Sequence, residues 1–136
     1  MKRIELFVTG KDSNKWLCLY DTDDPAEEPT LKELDVPPRI IGERTFLPVR
    51  VISEALGASA EWVEKDRGVI VRSEEAEIIL SIGVPAMFVN GVRVSLDAAP
   101  VIVDDRALLP IRFISEALHC KVDWDDGARK VTIVGA

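Results

Sequence analysis

Histidine is nearly missing from this chain: 136 residues carry one, His119. A transition-metal centre built on several imidazoles therefore has no donor set here, and no metal or other cofactor is expected. Cysteine is scarce as well. Cys18 and Cys120 are too few for a disulfide framework and leave the redox compartment open; a bridge between them stands beside the alternative of two separate, buried thiols. No stretch approaches the roughly 20 apolar residues that cross a bilayer, so no membrane span is expected. The opening MKRIELFVTGKD lacks the apolar heart of a signal peptide. Either the protein is cytoplasmic or its export signal lies outside these residues. Positive charge is in deficit, with 17 Lys and Arg against 24 Asp and Glu, for a net charge of −7. That balance repels phosphate backbones and argues against nucleic acid as a partner. Glycine-rich phosphate loops, nucleophile elbows and zinc spacings are also lacking, so the chain is not expected to be an enzyme.

What the chain does have, it has twice. Residues 38–56 read PRIIGERTFLPVRVISEAL, and residues 100–118 read PVIVDDRALLPIRFISEAL. The two align without a gap at an offset of 62, and across 37–74 against 99–136 fourteen of thirty-eight positions are identical. Such self-similarity is first an architecture and only second a chemistry. It implies one domain, 1–136, of two repeats: 1–83, with an insertion at about 11–33, and 84–136.

Each copy has the same grammar. A short β-like run, Ile40–Ile41 or Ile102–Val103, leads through a polar turn to a second run ending at Pro48 or Pro110. Proline suits the first position of a helix, where its missing N–H costs nothing. Val49, Ile52, Ala55 and Leu56, and likewise Ile111, Ile114, Ala117 and Leu118, then form one apolar stripe on about three helical turns. Gly57 stands where a left-handed C-cap belongs; its counterpart His119 fits that conformation less well, so a looser helix end is expected there. Hairpins follow, Ala60–Trp62 against Val69–Val71 and Val122–Trp124 against Val131–Ile133. Glu77–Ile82 and Ala86–Asn90 read as further strands, with Asn90-Gly91 as a tight turn. At the N-terminus Glu5–Gly10 echoes Ala86–Gly91 at an offset of 81, which leaves 19 extra residues before Leu34. Trp16–Tyr20 extends this hairpin, and the acidic, proline-containing Asp21–Glu33 reads as an exposed loop.

Together these residues carry a resemblance. Pro38, Arg44, Thr45, Leu47, Pro48, Arg50, Glu54, Ala55, Leu56, Gly57 and Trp62 form one long pattern. Pro100, Arg106, Leu109, Pro110, Arg112, Glu116, Ala117, Leu118 and Trp124 repeat it. The pattern resembles the N-terminal domain of copper amine oxidases, and most of all the stalk modules of that type common in Gram-positive envelope proteins. The resemblance implies an α+β fold, with antiparallel strands curled around two short helices and a pseudo-two-fold from the internal repeat. It also implies a non-catalytic module, often exported and joined to hydrolases or surface anchors. Copper in amine oxidases sits on three imidazoles in a separate catalytic domain, which this chain's one histidine and one tyrosine do not reproduce.

The candidate site residues divide accordingly. Arg50/Glu54 and Arg112/Glu116 recur at i, i+4 and read as structural ion pairs, in the weaker order for a helix; Arg44 and Arg106 read similarly. Trp62 and Trp124 read as rings packed into the core against each repeat's helix, with a sugar-stacking platform as the other reading. Trp16, unique and set among polar neighbours, is the best candidate for a ligand-facing aromatic, with Tyr20 beside it. A reactive thiol at His119-Cys120 is disfavoured, because a helix C-terminus raises a thiol pKa. Calcium at Asp21–Asp24 or Asp123–Gly127 lacks the required spacing. The expected function is a structural and interaction module of a bacterial cell-envelope protein that presents or spaces its neighbours through a protein or cell-wall partner. The alternative is a module that binds cell-wall glycan or peptide through the 11–33 insertion.

Overall fold

The structure is a computed structural model that describes residues 3–8, 15–21, 24–110 and 117–135. Three antiparallel sheets account for nearly all of its regular structure. Sheet I has the strand order β13-β14-β1-β2-β3, from β13 (Lys121–Asp125), β14 (Lys130–Val134), β1 (Arg3–Phe7), β2 (Trp16–Tyr20) and β3 (Thr30–Glu33). Sheet II has the order β6-β7-β8-β9-β10, from β6 (Ser59–Val63), β7 (Gly68–Arg72), β8 (Glu77–Ser81), β9 (Ala86–Val89) and β10 (Val92–Ser95). A bridging sheet runs β11-β12-β5-β4, from β11 (Val101–Val103), β12 (Arg106–Pro110), β5 (Arg44–Pro48) and β4 (Arg39–Ile41).

This corrects the expected α+β class. Strand takes 53% of the described residues against 10% helical, so the fold is β-rich. The described residues hold one α-helix, α1 (Val49–Ala55), of seven residues. The apolar stripe was legible: Val49, Ile52 and Ala55 are buried and Leu56 is half-buried. Its eight residues make about two turns rather than three, and the helix ends in a Schellman close at the expected Gly57. Gly57 N–H donates to Glu54 O at 3.0 Å and Ala58 N–H to Ser53 O at 2.8 Å, with Gly57 at φ +86°. Pro48 is the last residue of β5 and the N-cap of α1, one place earlier than expected. The second expected helix falls mostly on residues 111–116, outside the described residues, and Arg112 and Glu116 with it. Its far end is described: His119 takes the left-handed conformation at φ +61° despite its β-carbon.

The N-terminal segment also differs from expectation. Ile4 pairs with Ile133 and Leu6 with Val131, as Ile78 pairs with Val71 and Leu80 with Val69. Leu17 pairs with Leu6, as Met87 pairs with Leu80. So β1 stands where β8 stands in the other sheet, and β2, rather than β1, is the counterpart of β9. Part of the expected loop is strand. Thr30–Glu33 is exposed along its whole length and carries no alternation; its backbone pairing with β2 holds it in place.

Two apolar clusters lie on one face of the bridging sheet, side by side. Cross-strand partners share a face, and β5 and β12 put Leu47 opposite Leu109. Leu47 packs with Ile4, Leu6, Leu17, Val131 and Ile133 of sheet I, together with Ile52 and Ala55. Leu109 packs with Val69, Val71, Ile78, Leu80 and Met87 of sheet II, together with Val49. Phe46 and Leu108 point to the opposite face, where Val36 covers them. Arg44 and Arg106 tie the ends together crosswise: Arg44 Nε donates to Asp97 Oδ2 at 2.9 Å, and Arg106 Nη2 to Asp35 Oδ2 at 2.9 Å.

Candidate functional site

Trp62 and Trp124 are not buried. They are 41% and 42% exposed, which corrects the core-packing reading. The alternation predicted their side correctly, since Trp62 pairs with buried Val69 and Trp124 with buried Val131, and both rings lie on the inward faces of their sheets. What alternation does not report is position within the sheet. β6 and β13 are edge strands. A large ring there overhangs the core flank and keeps part of its face open.

Around Trp62 this opening becomes a groove of about 550 Å³, within the range of small-molecule sites. Its floor is aliphatic: Val51 at the start of α1, Ala60 on β6, and Ile102 and Ala107 from the β11–β12 hairpin. Its rim is charged and mixed, with Arg50, Arg67 and Arg106 set among Asp35, Glu61, Glu64 and Asp105. The indole N–H donates to Glu64 Oε2, which fixes the ring's orientation. Arg50 Nε meets Glu54 Oε1 at 3.2 Å across one turn of α1, an exposed pair of small energetic weight. Glu61 is held by Arg72 at 3.2 Å. The Arg67 side chain makes no ion pair among the described residues, although its backbone sits at φ +45°, a conformation costly for any residue with a β-carbon.

Trp16 and Tyr20 lie at opposite ends of β2 on the outer face of sheet I, with Cys18 between them on that face. Both are half-buried, and the Arg3 guanidinium already lies 4.2 Å over the Tyr20 ring. Leu118 packs half-buried on the sheet II cluster, and Cys120 on the sheet I cluster. Because Leu17 and Leu19 face that same inner cluster, Cys18 between them faces away from Cys120. Both thiols are free. Burial, and then the charges of Glu5 at Cys18 and Glu75 at Cys120, push their pKa values up.

The described residues and the family model agree on what kind of chain this is. The copper amine oxidase N-terminal domain model matches residues 27–133. The chain belongs to that family. In copper amine oxidases the N-terminal domain is a non-catalytic domain. No curated protein matches the chain. The family's name raises copper, and the residues of this N-terminal domain do not fit it. His119 is the sequence's one imidazole, and among the described residues the carboxylate beside it is Glu75, with Oε2 4.0 Å away. The Cys120 thiol is turned to Leu118 O at 3.6 Å. Among the described residues no three His, Cys, Asp or Glu side chains converge. Sequence reasoning missed the groove because its walls come from two separate hairpins, β6–β7 and β11–β12, the start of α1 and Asp35; the signal available was a pair of tryptophans at matching positions in the two copies.

Proposed function

We propose that the chain is a non-catalytic structural and interaction module of a bacterial cell-envelope protein, built from two copies of one unit, that presents or spaces neighbouring domains outside the cytoplasm. The observation that supports it is reciprocity. The motif residues that recur at an offset of 62 meet one another or each other's half: Leu47 faces Leu109, Arg44 holds Asp97 and Arg106 holds Asp35. Side chains used in this way lock two halves together, and among the described residues no three His, Cys, Asp or Glu side chains converge. Membership of a family whose namesake domain is non-catalytic points the same way. A module tied at its middle is suited to holding its two ends at a fixed separation. The test is fractionation of cells producing the full-length parent protein, with an antibody to this chain. The signal is expected in the envelope or medium; a signal confined to the cytosol overturns the localisation. Amine oxidation or hydrolysis by the purified chain overturns the non-catalytic reading.

A further inference from the structure

An internal control separates residues kept for packing from exposed residues kept for another reason. On the outer faces of the two five-stranded sheets, one row ends in an acid on both edge strands, Glu61 and Asp123, and loses its likeness across the other four strands. Ile70, Ile79, Phe88 and Arg93 cross sheet II in one row, and Thr132, Glu5, Cys18 and Leu31 cross sheet I in the matching row. The exposed groove residues behave in the opposite way. Trp62 corresponds to Trp124, Ile102 to Ile40, Arg67 to Arg129 and Glu64 to Asp126. Every one of these pairs keeps its chemistry. Ile102 and Ile40 are 36% and 45% exposed, so core packing does not explain the match.

The described part of the second set is arranged as the first is; the counterparts of Val49, Arg50 and Val51 fall at 111–113, outside the described residues. β5 packs on sheet I through Leu47 and Val131, as β12 packs on sheet II through Leu109 and Val69. Trp124 therefore faces the β4–β5 hairpin as Trp62 faces β11–β12. Arg67 and Arg129 add a second argument. Both sit in the left-handed conformation, at φ +45° and +53°, where glycine or asparagine is more at ease. Arginine is retained at both turns against its backbone preference.

We propose that Trp62 and Trp124 mark two equivalent carbohydrate-binding sites that take neutral oligosaccharide. This rests on the two-unit reading above. A fixed, half-open indole face offers the apolar platform on which the C–H face of a pyranose stacks. Carboxylates and guanidinium groups around it are the acceptors and donors that a ring of hydroxyls requires. Charge decides against an anionic ligand: three arginines face four carboxylates around the first groove, and the chain carries −7 overall.

The test is NMR titration of the whole chain, following the three tryptophan indole N–H resonances, with chitohexaose, cellohexaose and maltohexaose each at millimolar concentration. At least one sugar shifts Trp62 and Trp124 and leaves Trp16 in place. Trp62→Ala then removes one of two binding events, and Trp124→Ala the other. Arg67→Gly weakens binding at its site by about tenfold while the thermal midpoint stays level or rises, an outcome that a purely structural arginine does not give. No indole shift with any of the three sugars, a shift of Trp16 alone, or undiminished binding in the Trp62→Ala/Trp124→Ala double variant overturns the proposal. Envelope fractionation reads out the parent protein's location whichever way this titration falls.

Discussion

Sheets I and II have five strands in the same order and very different outer faces. Inward, they are nearly interchangeable: Ile4, Leu6, Leu17, Val131 and Ile133 stand against Ile78, Leu80, Met87, Val69 and Val71, all buried. Outward, sheet II shows Ile79 and Phe88, 39% and 43% exposed, where sheet I shows Glu5 and Cys18. Glu5 is in turn held by Arg3 at 3.0 Å and by Lys130 at 3.3 Å. Packing constrains volume and apolarity on the inner faces, and water tolerates most side chains on the outer ones. An exposed constellation that resists this drift therefore needs a cause other than the core.

The comparison breaks most visibly in the core. Leu6→Ala in sheet I and Leu80→Ala in sheet II should each cost about 2–5 kcal/mol in urea unfolding, as buried leucine truncations do. Equal losses support two equivalent sheets docked on one bridge; a neutral Leu6→Ala would detach sheet I from the account. Leu56→Ala, at a half-buried position, should cost less than either. Next come the crossed ion pairs. Double-mutant cycles on Arg44/Asp97 and Arg106/Asp35 should each return about 0.2–1 kcal/mol, since all four side chains are substantially exposed. Coupling at one pair and none at the other would make the bridge asymmetric. Smaller still is the outer-face contrast: Phe88→Ser and Cys18→Ser should both stay within about 0.5 kcal/mol in thermal melts. The thiols, Cys18 on the outer face of sheet I and Cys120 on its inner cluster, add a chemical probe of both faces. Burial raises both pKa values, so the folded chain holds thiol protons that the unfolded chain has already released. Stability is unaffected below the ordinary thiol range and falls as pH rises through it. Alkylation of Cys18 and Cys120 in the native chain should accordingly be slower at neutral pH than in urea.

Much of this was legible in the sequence, for identifiable reasons. The offset of 62, the hairpins at Trp62 and Trp124 and the Asn90-Gly91 turn were readable because alternation and turn residues are local signals. Asn90 and Gly91 do take φ +50° and +82°. The balance of strand over helix was not readable. The helical stripe Val49–Leu56 was legible and closes at Gly57 as expected, but its eight residues span only about two turns, while the strands around it were pinned by non-local pairing. Thr30–Glu33 has no pattern at all, because a fully exposed strand is specified by its partner's backbone. The tryptophans were assigned to the correct face and the wrong environment: period two identifies a face, while strand order, a non-local property, decides that β6 and β13 end their sheets. The groove follows from that same strand order.

Native-state hydrogen exchange addresses the joined halves most directly. If β5 and β12 fuse the molecule into one cooperative body, the most protected amides of β1 and β14, of β7 and β8, and of the β5–β12 seam exchange with one common opening free energy and one common dependence on denaturant. Sheet I amides that opened at a distinctly lower free energy than those of sheet II, with the seam following only one of them, would contradict it.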